Sequence, residues 1–164
     1  MKILVKILFV LMIFLTSCYN SVERKIIHDI RSGNRLNVKI ESVQITDTLY
    51  ADQIKDKLDQ LPLRQKFYQT MIKDLHSTIN SIRHIEKRDN FTDSLMHSTF
   101  ERLMFYDREL DRVSIQTIYY EQLYNQDKNG ICGYYATIKT RDGENYEFVV
   151  SKDYNVICSK FMLE

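Results

Sequence analysis

Tyr134-Tyr135-Ala136-Thr137-Ile138-Lys139-Thr140-Arg141-Asp142-Gly143-Glu144-Asn145-Tyr146-Glu147-Phe148-Val149-Val150 reads as two strands joined by a turn, and the way the turn closes decides the fold. A two-residue Asp142-Gly143 loop would set Ile138 opposite Glu147 and mix core with charge. A three-residue loop with Gly143 left-handed pairs Ile138 with Tyr146, Ala136 with Phe148 and Tyr134 with Val150, which gathers the apolar side chains on one face. The second register is the expected one. Around it the period-two segments Val113 to Tyr124, Ile131 to Thr140, Glu144 to Val150 and Val156 to Leu163 predict an antiparallel meander of four strands.

Upstream the period changes to 3.6. Asn20 to Arg31 predicts a helix with Asn20 as cap, Glu23 three residues on, Val22, Ile26, Ile27 and Ile30 on one side, and Gly33 at the end. Val38 to Thr46 alternates in two phases, which a bulge near Ser42 reconciles. Asp52 to Leu61 is helical, and Pro62 fits the first turn of a following helix. In that helix Phe67, Met71, Leu75, Ile79, Ile82 and Ile85 keep one face. Thr92 to Asp111 is a further helix, capped by Thr92 or Asn90, with Leu95, Thr99, Leu103, Tyr106 and Leu110 inward. The expected class is α+β: an N-terminal helix and strand, long central helices, and a C-terminal four-stranded antiparallel meander wrapped on the helices.

The chain begins with Lys2 and Lys6 ahead of an apolar run, Ile7 to Leu15, too short for the ~20 residues that span a bilayer. It closes Leu15-Thr16-Ser17-Cys18. That run resembles the signal peptide and lipobox of bacterial lipoproteins. The resemblance implies removal of residues 1–17 and three acyl chains on Cys18, palmitate among them, leaving 18–164 as a single α+β domain. Several chains hold a protein stably, since each buried CH₂ contributes about 0.8 kcal/mol. Tyr19, where inner-membrane lipoproteins often carry Asp, implies the outer membrane, and the lack of an acidic run after Cys18 implies a body facing the periplasm.

Cleavage would remove Lys2 and Lys6 and no acid, so 23 bases against 22 acids become 21 against 22, a formal charge of −1. Nucleic acid is therefore not an expected partner. One proline, four glycines and 44% hydrophobic residues fit a packed body. The helix after the anchor has two readings. Its isoleucines pack on the sheet, the expectation for an apolar helical stripe, or they dip into the membrane interface while Arg24, Lys25, Arg31 and Arg35 meet anionic headgroups.

Cys132 and Cys158 remain once Cys18 is acylated, and an oxidising compartment suggests a disulfide between them. In a simple meander their strands flank a third and lie about 9.6 Å apart, beyond the ~7 Å limit for bridged Cα atoms. Two buried small hydrophobes are the expectation, with a bridge requiring another strand order. His76, Asn80 and His84 are spaced i, i+4, i+8, which sets the histidines about 12 Å apart, too far to share an ion. His97 and Glu101 form an i, i+4 pair. Asn125 to Gly130 copies the first half of a calcium loop, but Ala136 stands where a bidentate Glu belongs, and a polar turn explains the same residues. No residues are assigned to catalysis, metal or cofactor.

Tyrosines crowd the predicted sheet, and adjacent pairs must point to opposite faces. Tyr119, Tyr120 and Tyr135 are thus the candidate contact surface, tyrosine being favoured where one end stays wet. The expected protein is a non-enzymatic envelope lipoprotein held to the membrane by its lipid and binding an unidentified protein, as an assembly accessory or an immunity or exclusion factor. The alternative is a module for a small molecule or lipid, with a pocket between sheet and long helix.

Overall fold

The computed structural model describes residues 21–33, 39–85 and 89–163. The leader, Cys18, the Asn20 cap, Arg35 and the start of the strand at Val38 lie outside the described residues. In order the elements are α1 (21–32), β1 (Ile40–Tyr50), α2 (Ala51–Arg83), α3 (Asn90–Tyr124), β2 (Ile131–Thr140), β3 (Asn145–Ser151), β4 (Val156–Ser159) and a 3₁₀ turn, Lys160–Met162. The class is α+β, with long central helices and a four-stranded antiparallel sheet of order β1-β2-β3-β4. Gln53–Gln122 forms one compact unit, and the segments up to Asp52 and from Leu123 form the other.

The turn that decides the register closes as expected. Ile138 pairs with Tyr146, Ala136 with Phe148 and Tyr134 with Val150. Gly143 has φ 84°, and its N–H donates to the Thr140 carbonyl at 3.0 Å. An L residue is disfavoured there by its Cβ, which is why a glycine closes this loop. In β1 the register slips between Ile40 and Ser42, the bulge the two phases called for. It brings Val43 opposite Ile138 and Ile45 opposite Ala136, onto the same apolar face.

That face is covered by α1. Ile26 and Ile30 are fully buried, in one cluster with Val43, Ala136, Ile138, Phe148, Val150 and Val156. Of the two readings of this helix, packing on the sheet is the one observed for both isoleucines. Two carboxylates fix the helix across the strands: Glu23 accepts the Val43 N–H at 3.3 Å on β1, and Asp29 accepts the Val156 N–H at 2.6 Å on β4. β1 and β4 are the two sheet edges, so the helix is tied at both sides.

Three local expectations are corrected. Val113–Tyr124 is the last third of α3 and not a strand; β1 supplies the fourth strand of the sheet. β-branched and aromatic content suggested extension, but Thr92, Thr99, Tyr106, Val113 and Tyr120 recur every seven residues, and helical packing wins. Pro62 lies inside α2 instead of opening a new helix. It is exposed, where the carbonyl it leaves unbonded can face water. The cap of α3 is Asp89, whose Oδ1 accepts the Thr92 hydroxyl at 2.7 Å and the Thr92 N–H at 2.8 Å. Those bonds hold its carboxyl below the usual carboxylate range, so the cap persists at ordinary pH and is lost as pH falls through that lowered value.

Removing side-chain volume from α1 should separate its inward residues from its flanks. Ile30→Ala is expected to cost about 2–5 kcal/mol, whereas Ile27→Ala, at a half-buried position, should cost less than half of that. Urea denaturation of both variants checks the difference, and equal losses would contradict the packing described.

Candidate functional site

The helical unit is a hairpin of two long helices with a heptad seam. On α2 a row of buried or half-buried residues, Ile54, Leu58, Leu61, Gln65, Tyr68, Ile72, Leu75, Ile79 and Ile82, alternates by four and three, with Ala51, Arg64 and Met71 covered beside it. On α3 they include Met96, Thr99, Leu103, Tyr106, Leu110 and Val113, at the same spacing. Leu75, Ile79 and Leu103 form the buried cluster, with Ile72, Met96 and Tyr106 packed on it. This is the repeat of paired helices that wind about each other. One layer of the seam is polar. Arg64 donates to Oε1 of the buried Gln116 at 3.2 Å, while Gln116 Nε2 has no partner among the described residues.

The seam corrects the expected inner face of α2: Tyr68 is turned in and Phe67 is not. Phe67 meets Tyr106 edge-on at 6.3 Å, Tyr68 lies 6.1 Å from Tyr106, and Phe105 lies 5.3 Å from it. The four rings make an aromatic band across the two helices. Its inner members, Tyr68 and Tyr106, are half-buried, whereas Phe67 is 54% exposed and Phe105 50%. Phe91 and Leu63 are exposed further, at 75% and 72%. Single exposed hydrophobes are ordinary on any surface; contiguous ones that share a contact mark an interaction site. Covering the free half of Phe67 and of Phe105 would remove ~100 Å² each from water, about 2.5 kcal/mol apiece.

The expected tyrosine surface is dispersed. Tyr119 and Tyr120 belong to α3, half-buried and buried respectively, and only Tyr135 is on the sheet. Their grouping depended on the strand at Val113–Tyr124, so it falls with that strand. Tyr135 is half-buried beneath Lys160, whose Nζ stands 5.3 Å from the ring centre and 3.1 Å from Glu147 Oε2. The tyrosines that do associate on the sheet unit are Tyr134 and Tyr154, stacked at 5.3 Å and 10°. Tyr154 reaches that stack from a turn where its φ is 63°. Burial, and then the neighbouring Tyr154, raise the phenol of Tyr134.

Cys132 and Cys158 are free and buried. Cys158 pairs with Val149, and Val149 with Tyr135, whereas Cys132 shares the alternation of Tyr134 and Ala136. The thiols therefore point to opposite faces, two strands and three residues apart, roughly 14 Å at the usual sheet spacings. Distance and direction both forbid a bridge. The Cys132 thiol donates to the Asp127 carbonyl at 3.1 Å, and burial raises its pKa above that of an ordinary thiol.

Asp127 organises the Asn125–Gly130 loop. Its Oδ1 accepts the Asn129 N–H at 3.1 Å, and its Oδ2 stands 4.0 Å from Lys152 Nζ. His97 Nε2 and Glu101 Oε1 are 3.4 Å apart on exposed α3 surface. Among the described residues no three His, Cys, Asp or Glu side chains converge as metal ligands. No helix among them is long and apolar enough to cross a membrane.

Two measurements follow from this geometry. Alkylation of Cys132 at pH 8 should be much slower than that of a peptide thiol, accelerating on unfolding or toward higher pH, because a raised pKa leaves less thiolate and burial limits access. Titration of native and unfolded protein with a thiol reagent reads it. Gln116→Leu should change urea stability by less than about 1 kcal/mol, since removing a buried amide nitrogen with nothing to bond offsets the loss of the acceptor for Arg64. Comparison of the chain with protein-family models, curated proteins and solved structures returns no match.

Proposed function

We propose that the chain is a lipoprotein of the bacterial envelope, held to the outer membrane by acyl groups on Cys18, with its body in the periplasm. It acts without catalysis, binding another protein through the helical hairpin, as an assembly accessory or as an immunity or exclusion factor. The anchor is supported by the Lys2, Lys6 and apolar leader that ends Leu15-Thr16-Ser17-Cys18. The binding reading is carried by one observation: the aromatic band keeps Phe67 and Phe105 half exposed although the hairpin already has a closed seam. About half of each ring stays outside its packing with Tyr106. Aromatic side chains, phenylalanine among them, are enriched in the cores of protein interfaces. The thiols, the side chains best suited to nucleophilic attack, are buried, and that of Cys132 is held protonated by its surroundings.

Mass spectrometry of the protein isolated from its native membrane should find the leader gone and Cys18 acylated, and an intact leader or a bare Cys18 sulfur would end the anchor reading. A photoreactive phenylalanine at position 67 or 105 should give a discrete cross-linked species with one other polypeptide, and at Lys139 on the sheet none. Equal cross-linking from all three positions would remove the hairpin from the interface. A small molecule retained through purification, with no cross-link at all, would favour the ligand-binding alternative.

A further inference from the structure

The charges of α1 are sorted by sign. Its two acids, Glu23 and Asp29, are turned onto the sheet, each accepting a backbone N–H from an edge strand. Its bases Arg24, Lys25 and Arg31, together with His28, are exposed on the opposite side from Ile26 and Ile30. Arg24, His28 and Arg31 are spaced i, i+4 and i+7, which stacks them in one row. With Ile27 and Ser32 they line an open cleft of about 600 Å³. Among the described residues no carboxylate pairs with any of the four. The acids that would normally neutralise such a row are bonded elsewhere.

We propose that this row binds the phosphodiester headgroups of anionic glycerophospholipids in the leaflet that holds the Cys18 acyl chains. The inference rests on the anchor reading and extends it to how the body sits at the bilayer. Guanidinium groups match phosphate oxygens in a planar, two-point fashion, and a row of them at a lipid surface is attracted to anionic headgroups. Reach is assured by the covalent chain: Arg24 is six positions on from Cys18, so that end of the row stays within ~21 Å of the anchor even when fully extended. The row is about 10 Å long from Arg24 to Arg31, at 1.5 Å per residue. That is longer than one phosphate ion and suited to headgroups lying side by side. Deep insertion of the helix is disfavoured, because Ile26 and Ile30 have no exposed surface left to offer and Val22 and Ile27 are only partly open. The contact is therefore electrostatic and shallow.

The test uses the full lipoprotein purified in detergent and reconstituted into vesicles of phosphatidylcholine alone or of equimolar phosphatidylcholine and phosphatidylglycerol. Acylation of Lys25 by a water-soluble amine reagent is followed by mass spectrometry, with Lys55 and Lys73 of α2 as internal references. Lys25 should react several-fold more slowly on the anionic vesicles, with the references unchanged. The protection should vanish in the Arg24→Glu, Arg31→Glu double variant and at ~1 M salt, where the screening length is about 3 Å. Both substituted positions are exposed, and unchanged urea stability of the variant confirms that its fold is kept. Equal labelling of Lys25 on the two kinds of vesicle overturns the proposal, as does equal protection by inorganic phosphate on neutral vesicles, which would assign the cleft to a free anion. The mass of the Cys18 peptide separates the two levels. An acylated Cys18 with an unprotected Lys25 sinks only the headgroup contact, whereas an unmodified Cys18 sinks the anchor and the contact together.

Discussion

Burial of Ile26 and Ile30 against the apolar face of the sheet is the contact on which the arrangement of the sheet unit depends. A helix of about twelve residues is marginal alone in water. Each buried isoleucine contributes about 1.5–3 kcal/mol, so docking and helix formation occur as one event. The carboxylates of Glu23 and Asp29 then do two things at once. They bond N–H groups of Val43 and Val156, on the two edge strands where backbone donors otherwise lie open to other chains. They also settle which way the helix can rotate, and by the 3.6 periodicity this sends Arg24, His28 and Arg31 outward. The polarity of the outer surface is a consequence of how the inner one is held.

The same logic applies one level down, in the turn at Gly143. With φ at 84° that residue allows a three-residue loop, and the loop fixes the alternation of every side chain on β2 and β3. Slip the register by one and Ala136 and Ile138 would leave the core for solvent. The alternation also decides the chemistry of the thiols. Cys132 and Cys158 stand on opposite faces because their strands are both in register with β3, and no side-chain rearrangement can bring them together. An oxidising compartment supplies the means for a disulfide but not the geometry.

What the sequence made legible was whatever a short window decides. The Gly143 register and the bulge at Ser42 each follow from a conflict within a few residues that resolves in one way, and the one apolar stripe of α1 was visible although its destination, sheet or membrane, was not. Val113–Tyr124 could not be decided locally, since Val-Ser-Ile-Gln-Thr-Ile-Tyr-Tyr favours extension by propensity. Only the seven-residue recurrence from Thr92 to Tyr120, read over four repeats, reveals that it continues a helix. The aromatic band was hidden for a related reason. A helix face drawn through Phe67, Met71 and Leu75 differs from the true seam through Tyr68, Ile72 and Leu75 by one residue in each of the first two turns and merges with it at Leu75, and both satisfy a 3.6 period over a short stretch. What separates them is the partner helix, which the sequence does not announce. The tyrosine surface drawn from Tyr119, Tyr120 and Tyr135 rested on reading Val113–Tyr124 as a strand.

The place of the helical hairpin in the chain explains why it can carry exposed rings at little cost to the fold. β1 and β2 are direct neighbours in the sheet, and their ladder runs on past Tyr50 and Ile131 to a bond from the Ala51 N–H to the Gly130 carbonyl at 2.9 Å. A two-residue turn would serve that connection, yet residues 51–130 occupy it. Lengthening a loop is inexpensive, about 0.6 kcal/mol per doubling by chain-entropy arguments. The inserted residues bring their own cohesion in the seam of α2 and α3, with Leu75, Ile79 and Leu103 at its core. Neither the buried cluster of the sheet nor that of the hairpin includes Phe67, Phe105, Phe91 or Leu63. Covering that apolar surface would gain about 25 cal/mol per Å², and this is the free energy on which the proposed protein partner would draw.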